Sequence, residues 1–259
     1  MIDIEQLDFG VAKITIKNPE RRNALNGEML EALIDTWDRL SSDDAVRVAV
    51  ITGDGAAFCT GADLSQSLHT RSDIDSLVDR ALLKTSYFRK PLVAAINGHC
   101  VAGGLELALA ADIRITDRNA KLGFPEVKWG IIPSGGGAMK LLEQMPYAHA
   151  MDLLITGRLI SGEDAAVIGL VTSACDAQEV LPVAMERAEL IARNSPLAVQ
   201  LTKRAALEHR SAVYADREAT ERELVAMMRQ SGHQDEGIAA FLEKREPSYS
   251  AQGCRPNNA

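Results

Sequence analysis

A glutamate stands in a stretch of chain whose other residues are almost all apolar. Residues 102–111 contain a single polar side chain, that of Glu106. A helix that is apolar on all sides is a buried helix, so this carboxyl group is expected to lie away from water. Burial raises the pKa of a carboxyl group unless the group is paired. An ion pair with an arginine such as Arg114 is the structural alternative to a catalytic role.

A second glutamate, Glu126, follows Pro125 and stands beside the apolar residues Phe124 and Val127. These neighbours predict a partly desolvated carboxyl group. Two carboxyl groups in one apolar pocket can share a single proton, since desolvation and like charge both raise one of the two pKa values. The two glutamates together therefore indicate acid–base chemistry.

Two glycine-containing segments could supply backbone hydrogen-bond donors. Gly103 and Gly104 open the helix of the first glutamate, and the first amides of a helix have no intrahelical acceptor. Gly61 permits an unusual backbone conformation that would leave the Ala62 N–H pointing outward. Two such amides on separate loops would form an oxyanion hole. In the alternative interpretation the glycines serve helix packing, and Asp63 caps the helix that follows.

The spacing of the remaining polar residues does not favour other site types. Glycines 135–137 precede Lys140 without forming a phosphate loop, and no dinucleotide fingerprint occurs. The five histidines form no metal-spaced pair and the four cysteines no Cys-x-x-Cys, so we expect no metal and reduced thiols. Ser134 lacks the context of a serine nucleophile. Arg21 and Arg22 form a basic spot, either solvated or in contact with a ligand phosphate.

Composition excludes several classes of protein. The 259 residues are 46% hydrophobic and carry 28 basic against 36 acidic side chains, a net charge of -8. This acidic balance argues against nucleic acid as a partner. No uncharged apolar run is long enough to span a membrane, and the acidic first residues predict no signal peptide. We therefore expect a cytoplasmic protein.

The elements that must position the glutamates follow from the hydrophobic periodicity. The N-terminal stretch 4–17 predicts a hairpin, and residues 27–40 predict a helix with one apolar face. Residues 46–52, 92–96 and 113–116 predict buried strands. Strands alternating with helices indicate a parallel α/β core.

The last part of the chain predicts a mostly helical region. Pro182 falls in the first turn of one of these segments, where proline is tolerated. The predicted helices cover residues 139–155, 161–168, 179–194, 197–209, 216–230 and 234–244.

Several motifs occur in the order of one known family. They are Asn18-Pro19 through Asn23-Ala24-Leu25, then Gly61-Ala62-Asp63-Leu64, then Asn97-Gly98 with Ala102-Gly103-Gly104-Leu105-Glu106-Leu107-Ala108, and then Pro125-Glu126 through Gly130-Ile131-Ile132-Pro133. Each motif is loose, but the ordered set is specific and covers nearly the whole chain. The chain resembles the crotonase superfamily, the enoyl-CoA hydratase/isomerase group.

The resemblance implies an α/β fold, a crotonase-like spiral of ββα units with a C-terminal helical region. Residues 1–195 would form the spiral core with the catalytic site, and residues 196–259 a helical trimerisation region. The expected assembly is a homotrimer or a dimer of trimers. The expected partner is an acyl-CoA substrate, with no cofactor beyond the coenzyme A of that substrate.

The resemblance also assigns roles to individual residues. The amides of Ala62 and Gly103 would hold the thioester oxygen, and Glu106 and Glu126 would act as catalytic residues. Substrate contacts are expected from a further set: Ala24, Leu25, Thr60, Gly61, Ala62, Asp63, Leu64, Gly104, Pro125, Trp129 and Ser134. Ser134 and Ala138 depart from the family pattern, which has glycine and threonine there. These departures and Trp129 leave the acyl specificity open.

Both glutamates of the hydratase members are matched, so the resemblance favours an enoyl-CoA hydratase, a lyase of fatty acid metabolism. It would add water to a 2-enoyl-CoA and give a 3-hydroxyacyl-CoA. An isomerase, or a dehydratase acting on a functionalised acyl-CoA, is the alternative within the family. A non-catalytic acyl-CoA-binding protein and a nicotinamide-dependent oxidoreductase are alternatives from other classes.

Overall fold

Strands and helices alternate along the first two thirds of the chain. The computed structural model describes residues 1–64, 71–84 and 86–249, with the backbone alone for residues 208–221. The strands are β1 (Ile2–Gln6), β2 (Val11–Ile16), β3 (Val48–Gly53), β4 (Ala57–Cys59), β5 (Leu92–Ile96), β6 (His99–Val101), β7 (Ile113–Asp117), β8 (Lys121–Gly123), β9 (Leu159–Ser161) and β10 (Ser173–Cys175).

The helices become longer towards the end of the chain. They are α1 (Gly27–Ser42), α2 (Ile74–Ala81), α3 (Gly103–Ala108), α4 (Gly137–Gln144), α5 (Tyr147–Thr156), α6 (Gly162–Val167), α7 (Val180–Ala192), α8 (Pro196–Gln230) and α9 (His233–Glu243). A short 3-10 turn, Pro125–Trp129, carries the second glutamate and is called the Glu126 turn below.

The larger sheet has the strand order β1-β2-β3-β5-β7-β10 among the described residues. The predicted hairpin is confirmed, because β1 pairs antiparallel with β2, and the other neighbours in this sheet pair in parallel. Its central strands are buried on both faces. Val50 and Val93 share an apolar cluster with Ala184 of α7, whereas Ile51 shares the other cluster with Leu33 of α1. Helices on both faces explain why these strands read as continuous apolar runs.

The smaller sheet has the order β4-β6-β8-β9 in the described part of the chain. Its strands β4, β6 and β8 each follow a strand of the larger sheet directly, and they pair in parallel. The repeated order of two strands and then helical structure is the spiral of ββα units that was expected. The predicted α/β fold class is therefore confirmed.

Three predicted helical segments differ from the structure. The segment 139–155 is two helices, α4 and α5, because Pro146 disfavours a helical conformation at the preceding Met145, which is extended. The segments 197–209 and 216–230 belong to one helix, α8. After Pro196, no glycine or proline interrupts this sequence.

The predicted boundary between residues 195 and 196 coincides with the start of α8. Ser195 is the N-cap, and its hydroxyl accepts a hydrogen bond from the Ala198 amide. Beyond α8, α9 returns to the core and packs on the Glu126 turn. The role of this region in trimerisation stays a prediction. Of the helices in the described ranges, none combines the length and the apolar character that a membrane span requires.

Candidate active site

A cavity of about 600 Å³ lies between the α/β core and the C-terminal helices. Most of the residues expected from the sequence line it: Ala24, Leu25, Thr60, Ala62, Asp63, Leu64, Gly103, Glu106, Pro125, Glu126, Trp129 and Ser134. Arg21 and Arg22 also line it, at the end formed by the loop after β2. The fold thus brings residues from four distant motifs to one hollow.

Gly104 was expected to contact substrate, but the structure places it elsewhere. It is buried, and a Cβ added to it would lie 2.1 Å from the Cys59 carbonyl oxygen. Gly104 therefore lets α3 pack closely on β4 and does not line the cavity. Gly61 likewise lies outside the lining, although it supports a residue that does line it.

The backbone of Ala62 faces the cavity because of a bridge to Leu25. Leu25 N donates to Gly61 O (2.7 Å), and Asp63 N donates to Leu25 O (2.9 Å). Because these bonds use the Gly61 carbonyl oxygen and the Asp63 N–H, the Ala62 N–H between them points away from Leu25. The sequence interpretation expected an outward-pointing Ala62 N–H, and it did not identify the bridge to Leu25.

A strained residue orients the second amide. Ala102 has φ 52° and ψ -130°, a backbone conformation that residues other than glycine rarely adopt. This turn directs the chain from β6 into α3, whose first residue is Gly103. Because the N–H of a first helical residue has no intrahelical acceptor, the Gly103 amide is available at the cavity wall. The sequence interpretation missed Ala102, since alanine gives no signal for a positive φ.

The two amide-bearing segments contact each other. Gly61 has φ +87°, and a Cβ added to it would lie 2.8 Å from the Ala102 Cβ and 3.1 Å from the Gly103 nitrogen. A side chain at Gly61 would thus push the two segments apart. The absence of a Cβ at Gly61 therefore lets the segment of Ala62 pack directly against the segment of Gly103.

Glu106 is buried, with 4% of its surface exposed, and its carboxylate has a fixed orientation. Its Oε1 accepts a hydrogen bond from the Gly137 amide (2.9 Å), at the start of α4. A Cβ on Gly135 would lie 2.5 Å from its Oε2, so the glycine loop before α4 closes around the carboxylate. The positive end of α4 therefore faces a negative side chain, which is favourable.

Arg114 and Asp63 belong to the structural alternatives, an Arg114–Glu106 ion pair and a helix cap by Asp63. The Arg114 guanidinium donates to the carbonyl oxygens of Leu170 and Ala111, which ties β7 to its neighbours. The next described helix after Asp63 is α2, which begins only at Ile74, so Asp63 does not cap it.

Glu126 is buried as well, and its Oε2 is a buried oxygen without a hydrogen-bond partner. Burial raises the pKa of this carboxyl group well above its usual value, and the negative charge of Glu106 raises it further. Both causes favour the neutral form of the Glu126 carboxyl group. The two glutamates are thus electrostatically coupled in one cavity.

Two lysines with little exposed side-chain surface lie beside Gly136 of the glycine loop, and the sequence interpretation did not identify them. Lys140 Nζ donates to the carbonyl oxygens of Leu82 (2.7 Å) and Glu106 (3.1 Å). Lys84 Nζ donates to the Ser134 carbonyl oxygen (2.9 Å) and lies 3.2 Å from Asp79. A lysine inside the otherwise apolar start of α4 was the available signal, because buried lysines are rare.

The C-terminal helix α9 fixes the Glu126 turn. A Cβ on Gly237 would lie 1.9 Å from the Trp129 carbonyl oxygen, so α9 and the turn are in direct contact. The rings of Trp129 and Phe241 pack edge to face with centroids 5.2 Å apart. Farther along, the Tyr249 hydroxyl donates to the Lys128 carbonyl oxygen (2.7 Å). Trp129 therefore both lines the cavity and anchors the turn.

Two of the cysteines lie in the core and not on the cavity wall. Cys59 and Cys100 are fully buried, and desolvation raises the pKa of the Cys59 thiol to about 12. A thiol of this kind is not an activated nucleophile. Within the described residues, no cluster of three or more His, Cys, Asp or Glu side chains could hold a metal ion.

The family model described as enoyl-CoA hydratase/isomerase matches residues 6–252. The chain is 36% identical over 244 residues to "Enoyl-CoA hydratase EchA19" of Mycobacterium tuberculosis, with 91% of each chain covered. It is 32% identical to "2,3-dehydroadipyl-CoA hydratase" of Escherichia coli, covering 93% of this chain and 96% of that one.

The fold agrees with solved structures of similar proteins. The carnitinyl-CoA hydratase from Mycobacterium avium superposes with a TM-score of 0.89 at 33% identity, covering 96% of this chain and 98% of that one. The sequence match, the fold and the cavity all agree. The chain belongs to the enoyl-CoA hydratase/isomerase family.

Proposed function

We propose that this protein is an enoyl-CoA hydratase, an enzyme that interconverts a 2-enoyl-CoA and a 3-hydroxyacyl-CoA by syn addition of water. One observation carries the proposal: Ala62, Gly103, Glu106 and Glu126, which come from three distant parts of the chain, line one cavity. Similar chains named as hydratases support the same reaction class.

The oxyanion hole would polarise the thioester. As the hydroxyl group of water adds to the β-carbon, electrons move through the double bond onto the thioester oxygen, which becomes an enolate. The Ala62 and Gly103 amides would donate to that oxygen. Each donor of this kind stabilises the transition state by about 3 kcal/mol in other oxyanion holes. The donors need no reorganisation because the backbone already holds them.

The two glutamates would divide the proton transfers. Glu106, oriented by the Gly137 amide, takes a proton from the attacking water. Glu126, whose burial favours the neutral form, donates its proton to the α-carbon as the enolate collapses. Water is thereby consumed, and one proton has moved onto Glu106 while one has left Glu126. Proton exchange within the pair restores the starting state.

The remaining wall fits an acyl-CoA. Arg21 and Arg22 lie near Ala24, Leu25 and Thr60, where basic side chains could contact phosphates of coenzyme A. Apolar side chains cover the opposite part of the cavity and would receive the acyl group: Ile74, Val78, Leu82, Ile131, Ile132, Ile238, Phe241 and Leu242. The proposed substrate class is therefore a 2-enoyl thioester of coenzyme A.

Further parts of the proposal concern the assembled enzyme. We expect a homotrimer or a dimer of trimers, no cofactor apart from the coenzyme A of the substrate, and a cytoplasmic location. Size-exclusion chromatography with light scattering tests the assembly. A monomer that is fully active would contradict it.

The test of function is hydration of a short 2-enoyl-CoA, followed by loss of the ultraviolet absorbance of the conjugated thioester. Glu106→Gln and Glu126→Gln should each lose at least about 100-fold in kcat, the lower range for a lost acid–base group. The control is Glu163→Gln, an exposed glutamate on α6. Wild-type rates in both site variants would overturn the assignment.

The same assay separates the alternatives. Deuterium exchange at the α-carbon without net hydration would favour an isomerase, and faster turnover of a functionalised 3-hydroxyacyl-CoA would favour a dehydratase. Tight binding of acyl-CoA without turnover would indicate a binding protein. Nicotinamide fluorescence enhancement would point to an oxidoreductase.

A further inference from the structure

One wall of the cavity is a row of apolar side chains on helix α2. Leu82, Val78 and Ile74 line the cavity at intervals of four residues, which places them on one side of the helix. Leu82 marks the inner end of the row, because its Cδ1 would lie 3.7 Å from a Cβ added to Gly103 and 2.6 Å from one added to Gly135. The row therefore leads from the proposed catalytic centre towards the first turn of α2.

An ion pair lies at the outer end of this row. Arg229, in the last turn of α8, lines the cavity and donates from both terminal nitrogens to the two carboxylate oxygens of Asp75 (2.8 and 2.6 Å). Asp75 adjoins Ile74 in the first turn of α2. The hydrogen bond from Arg229 lowers the pKa of Asp75, so both partners are charged at neutral pH. The pair thus joins α2 to the end of α8 at the cavity wall.

The two ends of α2 are held by contacts of different kinds. At the inner end, the buried Trp37 indole donates from Nε1 to the Ala81 carbonyl oxygen (2.9 Å). At the outer end, the side chains of Asp75 and Arg229 are 59% and 38% exposed. Exposed ion pairs stabilise a fold only weakly, and regions held in this way open more readily than the core. The outer end of the row is therefore the end that can yield to a bound chain.

We propose that the ion pair between Arg229 and Asp75 determines which acyl groups the enzyme accepts, by closing the outer end of the acyl pocket to long chains. This inference rests on the proposed function, because it takes the cavity to hold a 2-enoyl-CoA. Asp75 lies seven residues before Leu82, so a rise of about 1.5 Å per residue places the pair roughly 10 Å from Leu82 along the helix. An extended hydrocarbon chain with bonds of about 1.5 Å covers this distance with roughly eight carbons.

The charge of the pair adds an energetic barrier to this limit of length. A longer acyl chain would have to pass between α2 and the end of α8, and it would separate Arg229 from Asp75. An apolar chain cannot replace the hydrogen bonds that the two charged groups would lose. A shorter acyl group ends before the pair and leaves these bonds in place. The pair should therefore discriminate by length, with little influence on the chemistry at the glutamates.

The test is kcat/KM for hydration of 2-enoyl-CoA substrates with four, eight, twelve and sixteen acyl carbons. For the wild type, we expect kcat/KM to fall between the eight-carbon and the sixteen-carbon substrate. Arg229→Met and Asp75→Asn should each raise the ratio of the twelve-carbon to the four-carbon value by at least about ten-fold, the effect of burying two further methylene groups. The double variant should show no more than the larger single effect, because both changes break the same pair.

An ion pair elsewhere on α2 provides the matched control. Arg80 lies 3.4 Å from Asp38 of α1 and is outside the cavity lining, so Arg80→Gln should keep the wild-type dependence on chain length. The exchange of charges in the variant Asp75→Arg with Arg229→Asp re-forms a pair and should move the dependence back towards that of the wild type. Circular dichroism and urea denaturation confirm that each variant is folded.

Three results would overturn the inference. They are a wild-type kcat/KM that stays constant up to sixteen carbons, an unchanged ratio in both single variants, and an equal change in Arg80→Gln. A wild-type preference for an acyl group with a terminal carboxylate, lost in Arg229→Met, would also overturn it, since Arg229 would then bind the substrate. If short substrates are hydrated and the ratio does not move, only this inference fails. If the wild type hydrates none of the four substrates, the proposed function fails as well.

Discussion

Replacing Gly61 by alanine is expected to lower kcat/KM by at least about 100-fold, because the new methyl group would separate the two proposed oxyanion donors, the amides of Ala62 and Gly103. The added Cβ would lie 2.8 Å from the Ala102 Cβ, whereas carbon atoms in contact normally stay about 3.5–4.0 Å apart. The segments that carry Ala62 and Gly103 must therefore move apart by roughly 1 Å. Loss of one oxyanion donor costs about 3 kcal/mol of transition-state stabilisation, which corresponds to a 100-fold or larger effect on the rate.

The backbone conformation of Gly61 adds a stability effect that has to be separated from the catalytic one. Alanine at a left-handed position costs about 1–2 kcal/mol. Gly169 provides the matched control, because its φ of +78° is close to the +87° of Gly61 and no atom lies within 4 Å of an added Cβ. Gly169→Ala should show the backbone penalty in a denaturation experiment while keeping kcat/KM within about two-fold of wild type.

The assay combines urea denaturation with hydration of a short 2-enoyl-CoA at a temperature where both variants are folded. We expect similar losses of unfolding free energy from the left-handed backbone, with an added loss in Gly61→Ala from the contact with Ala102. We expect a large loss of kcat/KM only in Gly61→Ala. A folded Gly61→Ala variant with wild-type kcat/KM would refute the role of this contact in placing the amides.

Three further predictions follow from single contacts. Ala102→Gly should raise the free energy of unfolding by about 0.5–2 kcal/mol, since relief of roughly 1–3 kcal/mol of backbone strain exceeds the entropic cost of glycine. Urea denaturation measures this free energy, and an unchanged value would contradict the strain at Ala102. Gly237→Ala should lower the free energy of unfolding by about 1–3 kcal/mol and also lower kcat, because the added Cβ would overlap the Trp129 carbonyl oxygen. Unchanged values in urea denaturation and in the hydration assay would contradict this prediction. Hydrogen bonds from Arg245, and then from the Ser248 amide, lower the pKa of Glu236 from 4.5 to about 2. The contribution of Glu236 to stability is therefore complete above pH 4.5 and is lost as the pH falls towards 2. Glu236→Gln should flatten this part of a curve of Tm against pH. Identical curves for the variant and the wild type would contradict the prediction.

Much of the α/β core could be predicted because its signals are local. The strands β3 and β5 appear as uninterrupted apolar runs, and α1 shows one apolar face over residues 27–40. The break between α4 and α5 was missed although its signal is local, since Pro146 and the residue before it both disfavour a helix. Pairings between strands distant along the chain, such as β8 with β9, depend on tertiary contacts that periodicity does not encode.

In the candidate site too, some residues could be identified from the sequence and others only from the structure. Glu106 and Glu126 stand out because carboxyl groups are uncommon in apolar segments, and both lie on the cavity wall. Ala102 does not stand out, because its unusual backbone angles arise from the junction of β6 with α3. The bonds of Lys140 to carbonyl oxygens on α3 and after α2 require three separate elements to meet, so these bonds are visible only in the folded chain.

The contact between α9 and the Glu126 turn has a consequence for how the enzyme becomes competent during synthesis. The ribosome produces the turn long before it produces Gly237 and Phe241, so a nascent chain carries both glutamates without the helix that holds one of them. Activity should therefore arise late, after the final helix has left the exit tunnel. A proteolytic cut after α8 would leave both glutamates in the chain but remove the helix that packs on the Glu126 turn.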